Sequence, residues 1–358
     1  MVRRFGRNCA RAQSSRNLGA FLLLSLAMPA FGLTCTTQSQ MSADQRNALR
    51  LAAMAVAGHV QSGDANAVKE QTISAVAEKF DGIAASIEAV DPAIQHATLT
   101  LSELYLLDAS DLKSAQEAEF FCGLPASTLT VVITIPDLPP GKYALAVVHA
   151  TGVKKPHALS MVLENDPAGS ATWKLAGFFT RPMTMGGHDG VWFWKQARDN
   201  AAKKQIWDAY FYFQTAAFLL TPVDFLSSPN LQKLEKETEE AKPEGLPGAD
   251  PMHLSAAGQT FNVTNLHTGE LSDQLDLIVN YQAAPSQDPV AARAQVVTVM
   301  HALLEAHPEL ATAFHGLWVY ADTPNNQHPF ALELPMDQIQ SSNSSPGQQT
   351  QPTHNQGF

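Results

Sequence analysis

Positive charge is scarce in this sequence. Twenty-three Lys and Arg residues stand against 34 Asp and Glu, a formal charge of −11. Five of the bases, Arg3, Arg4, Arg7, Arg11 and Arg16, lie in the first 32 residues, which hold no acid. The remainder therefore has 18 bases against 34 acids, a charge of −16. Nucleic acids and anionic lipid surfaces are bound largely by neutralising phosphates with Lys and Arg, so neither is an expected partner of this body. Long apolar runs are also missing: nothing after the leader approaches the roughly 20 residues that span a bilayer, so no membrane span is expected in the mature chain. The chain has no G-x-S-x-G, phosphate-binding loop, G-x-G-x-x-G, C-x-x-C or H-E-x-x-H. No catalytic, cofactor-binding or metal-binding residue is assigned from motifs, and no cofactor is expected.

What is present begins with an address. The five arginines precede the apolar run Phe21-Leu22-Leu23-Leu24-Ser25-Leu26-Ala27-Met28, and Ala30 and Gly32 come next at the spacing of a signal-peptidase site. This is the three-part pattern of a secretory signal over residues 1–32. An organelle-targeting peptide is also rich in Arg and Ser, but its apolar residues are periodic rather than continuous. The expected location is therefore periplasmic, secreted or envelope-anchored.

Of three cysteines, Cys9 leaves with the leader. Cys35 and Cys122 can form one disulfide in an oxidising compartment. Alternatively, Cys35 is a lipid-modified first residue, or both remain free thiols. Gly32-Leu33-Thr34 before Cys35 fits the bacterial lipoprotein pattern poorly.

The body, residues 42–182, opens on helices. Ser42 with Gln45 reads as a capping box before Leu49, Ala53, Val56 and Val60 at helical spacing. Ser62-Gly63-Asp64 interrupts, with Asp64 able to cap the next helix. A second stripe, Ile73, Val76, Phe80, Ile83 and Ile87, predicts one helix ending at Asp91-Pro92. Residues 97–107 are ambiguous, and Ser114 to Phe121 is expected as a short helix. The period then becomes two: Leu129, Val131, Ile133 and Ile135 predict a strand, Tyr143 to His149 its return, and Leu159 to Leu163 and Trp173 to Phe179 two more. Helices succeeded by an antiparallel meander mean α+β.

Helices joined at Gly63-Asp64 and a meander closing on Trp173-Lys174-Leu175-Ala176-Gly177-Phe178 resemble the nuclear-transport-factor-two-like (SnoaL-like) cone fold. That resemblance implies a cone with a pocket at its mouth, in a superfamily of isomerases, dehydratases, hydrolases and many non-enzymatic envelope proteins. No catalytic residue carries over. On strand parity Tyr143 and His149 would line the cone interior, with Trp173.

Met183 to Gly187 reads as a hinge, and residues 187–242 as an aromatic helical hairpin. Ten of the 28 aromatics fall between Trp192 and Phe225. Phe193 and Ala197, then Ala209, Phe213 and Ala216 before Pro222, resemble a tetratricopeptide helix pair, although one repeat cannot bury its own face. The hairpin is expected to pack on its neighbours; the alternative is an exposed docking surface for a peptide. Glu235, Glu237, Glu239 and Glu240 are expected to face water. Residues 243–257 read as a linker, 258–335 as a small α/β domain with a helix starting at Asp288-Pro289, and 336–358 as a disordered tail.

Two polar groups invite chemistry. His301, Glu305 and His307 resemble metal ligands, but His307 lies half a turn off the shared face, which favours a solvated helix. His188 sits in a glycine-rich turn as a candidate base, although Asp189 capping the next helix explains that turn equally simply. Taken together, these features describe an exported envelope protein, a scaffold or binding protein rather than an enzyme. The alternatives are a small-ligand binder or enzyme using the cone pocket, and a peptide-docking module.

Overall fold

The computed structural model describes residues 33–123, 130–165, 172–285, 288–323 and 330–342. The leader, and the tail beyond Ser342, lie outside the described residues. The architecture is mixed α+β, with no described helix long and apolar enough to cross a membrane.

A short strand, β1 (Thr34–Thr37), precedes α1 (Ala43–Gln61), whose start is the expected capping box of Ser42 and Gln45. Leu49, Ala53, Val56, Ala57 and Val60 are buried along one side of α1. Gly63 takes φ +70°, a left-handed conformation that favours glycine, and the Asp91 carboxylate lies against it. Asp64 accepts from the Ala67 N–H and caps α2 (Ala65–Glu70).

The expected single helix is instead broken into α3 (Ser74–Ala77) and α4 (Asp81–Ile94). The break falls at Glu78–Phe80. Before α3, Ile73 N–H donates to the Leu175 carbonyl and Leu175 N–H to the Gln71 carbonyl, so Gln71–Ile73 bonds a strand and separates α2 from α3. Pro92 does not end α4, whose last turns are anchored by buried Val90 and Ile94.

The ambiguous segment is a strand, β2 (Thr98–Asp108). The expected helix at 114–121 is also a strand, β3 (Gln116–Gly123), in which buried Ala118, Phe120 and Cys122 alternate with exposed Glu117, Glu119 and Phe121. That alternation only becomes decisive when β4 (Thr130–Leu138) pairs with it. The return strands are β5 (Lys142–Thr151), β6 (His157–Asn165) and β7 (Trp173–Pro182). Strands β1-β2-β5-β6-β7 form one antiparallel sheet. The helices pack on one face, over Ala144, Ala146 and Val148; the other face meets β3–β4 through Leu107, Tyr143 and Leu145.

A small hairpin of β8 (Thr184–Met185) and β9 (His188–Asp189) leads to α5 (Gly190–Ala202) and α6 (Ile206–Leu220), which pack on one another. The chain then returns to the first module: β10 (Leu226–Ser227) pairs with β4 before α7 (Pro229–Glu240). Glu237 does not face water as expected. It accepts hydrogen bonds from Trp194 Nε1 and Arg198, because α7 packs beside the hairpin.

The last module carries β11 (Met252–Ala256), β12 (Gln259–Leu271), β13 (Gln274–Gln282), α8 (Pro289–Ala306), α9 (Leu310–Ala313), β14 (Gly316–Asp322), β15 (Phe330–Pro335) and α10 (Met336–Ser342). Its sheet has the order β11-β12-β13-β14-β15, antiparallel except for β13–β14, where α8 makes the crossover. Two boundaries are corrected. Residues 252–256 are not linker but an edge strand with Met252 and Leu254 buried, and the tail starts later, because Met336 and Ile339 of α10 are buried. The hairpin and this sheet share one apolar core.

Candidate functional site

Between the five-stranded sheet and the β3–β4 sheet lies an open cleft of about 640 Å³, lined among others by Gln38, Arg46, Glu103, Tyr105 and Cys122. A bulge in β2 between Leu101 and Glu103 shifts its alternation. Leu101 and Leu104 then face the helices, while Tyr105 faces the small sheet. Tyr105 Oη donates to Glu103 Oε2 at 2.9 Å. Burial, then the Glu103 charge, raises the phenol well above its ordinary range, so it remains a neutral donor. Arg46 Nη1 donates to the Gln38 carbonyl at 3.3 Å and brings positive charge to the opposite lip.

Cys35 on β1 and Cys122 on β3 are joined by a disulfide. It links the edge strands of the two sheets that form the cleft, and so holds the cleft's width. A lipid thioether needs the same Sγ, so bridge and lipid are exclusive at Cys35.

The expected pocket trio is not assembled. Tyr143 and His149 share the face turned from the helices, but Trp173 packs on the helical side. The reason is a bulge: Val162 pairs Gly177 while Leu163 pairs Leu175, so Ala176 is skipped and every later residue of β7 toward Trp173 changes face. Tyr143 is buried, its hydroxyl donating to the Pro139 carbonyl, and burial, then the Glu164 charge, pushes it up to about 12. His149 is drawn below its ordinary range by burial, with Glu103 opposing.

The other candidates separate likewise. Asp189 accepts from the Trp192 N–H and caps α5, while His188 stacks on Trp192 with ring centroids 3.7 Å apart. His301 and Glu305 line a shallow cleft beside Ile339, whereas His307 turns to Trp207. Among the described residues the main cleft has one carboxylate, Glu103, and no histidine in its lining, so it makes no metal-ligand set.

Glu103 and Tyr105 were missed in the sequence. Their signal was Glu-x-Tyr, which shares a face only on a strand, within a segment whose type was ambiguous. Comparison with protein-family models, curated proteins and solved structures finds no match to the chain.

Proposed function

We propose that the chain is an exported cell-envelope protein that binds a small, largely apolar ligand with a polar end in the cleft beside the Cys35–Cys122 bridge. The single observation that carries this reading is the cleft itself: an apolar wall that includes Val131, the Glu103–Tyr105 pair and Arg46 at its edges, and a disulfide across one side. Few placed polar groups on an apolar surface are what a small-ligand site offers. Export is supported by the leader pattern and, independently, by the disulfide, which persists in oxidising compartments. The cone-like reading of residues 42–182 belongs to this proposal; helices over one face of an antiparallel sheet support it. The peptide-docking alternative is less favoured, because nine residues of α6 are buried.

The test is mass spectrometry of protein isolated from its native host. The expected species begins near Leu33, carries no acyl group, is two hydrogens lighter than its reduced form, and under native conditions retains a bound small molecule. Ser102→Trp, which fills the cleft from an exposed position, should lose that adduct while keeping the wild-type melting temperature. An intact Met1, or an adduct indifferent to Ser102→Trp, overturns the reading.

A further inference from the structure

Asp276, His315 and Glu333 come from three different strands or strand ends and converge at one edge of the C-terminal sheet. Asp276 on β13 lies opposite Gly316, the first residue of the parallel strand β14, and His315 immediately precedes it. β15 returns antiparallel, setting Pro335 opposite Gly316 and Glu333 opposite Trp318. One nitrogen or oxygen from each of the three side chains lies within 4.8 Å of the other two. His315 Nδ1 stands 3.2 Å from Asp276 Oδ1.

Two separate features point beyond an ion pair. Asp276 is 1% exposed, yet its Oδ2 has no hydrogen-bond partner. A buried carboxylate oxygen left without a partner is costly, and such groups are found paired or on a metal. Second, a Cβ on Gly316 would meet the Leu334 carbonyl at 2.8 Å, Asp276 Oδ1 at 3.1 Å and Glu333 Oε1 at 3.2 Å. Glycine, which the neighbouring strand backbone requires, also lets the two carboxylate oxygens approach the same point. Among the described residues neither carboxylate is paired with Lys or Arg.

We propose that Asp276, His315 and Glu333 form a site for one divalent transition-metal ion, with zinc as the best fit. Donors about 2.0–2.2 Å from a tetrahedral ion are about 3.3 Å from one another, and the Asp276–His315 separation is already that edge. Glu333, half-buried at the rim, closes the set by turning its side chain. One imidazole and two carboxylates suit zinc or its neighbours; calcium asks for six to eight oxygens, more than this rim supplies. The His315 side chain is 42% exposed, so water reaches the remaining position. The ion would staple β13, β14 and β15 together, independently of the cleft reading.

The test uses the purified full chain, stripped with a chelator and titrated with Zn²⁺ by calorimetry, with native mass spectrometry for stoichiometry. One ion per chain is expected, with a rise in melting temperature on binding. Glu333→Gln and His315→Gln should each weaken affinity by at least about tenfold and abolish the zinc-dependent rise. Glu333 reaches the surface, so the metal-free melting temperature of Glu333→Gln should match wild type, which separates a lost site from a lost fold; His315→Gln also disturbs the partner of buried Asp276 and is expected to melt lower. Absence of zinc binding, or binding undiminished in both variants, overturns the proposal; the second result would place the ion on unrelated surface histidines.

Discussion

His307 lies against Trp207 with ring centroids 3.9 Å apart and planes inclined by 35°, so the turn after α8 seats the first turn of α6. Phe211, one turn on, meets Phe314 edge to face at 6.0 Å. The same helix packs on β12 and on β7, which belong to different sheets. An aromatic helix covered on several sides holds its neighbours together rather than offering a free surface.

Trp207→Ala and Phe211→Ala should therefore each destabilise the protein by about 3–5 kcal/mol, read in urea or thermal melts. Phe218→Ala, at a position 38% exposed, should change stability by only about half a kcal/mol. Unchanged melting in both buried variants, with dye binding by the wild type, would return the hairpin to the docking reading.

Asp208, in the first turn of α6, is 2% exposed, and its Oδ1 has no hydrogen-bond partner. Burial, then the charge of Glu309, raises its pKa to about 7. An unfolded chain ionises this group near its ordinary pKa of about 3.9 while the folded chain still holds the proton. The stability contributed by this group is thus fully present below about pH 4, falls as pH rises toward about 7, and levels above it, by at most about 4 kcal/mol. Asp208→Asn should remove this component, so its melting temperature gains on wild type at pH 8 and not at pH 4. A constant difference across that range would show that Asp208 ionises normally.

The bridge between Cys35 and Cys122 closes a separation of 87 residues and ties β1 to β3. Replacing both cysteines with serine should cost about 2–4 kcal/mol of stability, measured against oxidised wild type in urea. Reduced wild type should match the double variant. A larger loss in the variant would mean that the two Sγ atoms matter through packing as well as through the bond.

Residues 244–250 join α7 to the last sheet and lie mostly at the surface, with Gly245 at φ +81°. Limited proteolysis should cut there first, and not in 252–256, whose backbone is bonded into β12. Early cleavage inside α5 or α6 would contradict the core shared by the hairpin and that sheet.

Much of the local structure was legible because its causes are local. The Ser42–Gln45 box, the Asp64 and Asp189 caps and the Asp288-Pro289 helix start each depend on side chains within a few residues, and each is found. The existence of strands β4 to β7 likewise reads directly from the pattern of apolar residues. Four outcomes depended on partners distant in the chain. Leu175 bonds Gln71–Ile73 and separates α2 from α3; pairing with β4 decides that β3 is a strand; the bulge at Ala176 sends Trp173 away from Tyr143; and Asp276 meets His315 across 39 residues. Periodicity constrains which residues of one element share a face. It carries no information about which face of a neighbouring element they meet, and a single skipped residue reverses that. Composition and the leader pattern set the expectation of an exported, acidic α+β protein, while its cleft and its cluster of metal-type side chains exist only because long-range pairing brings their residues together.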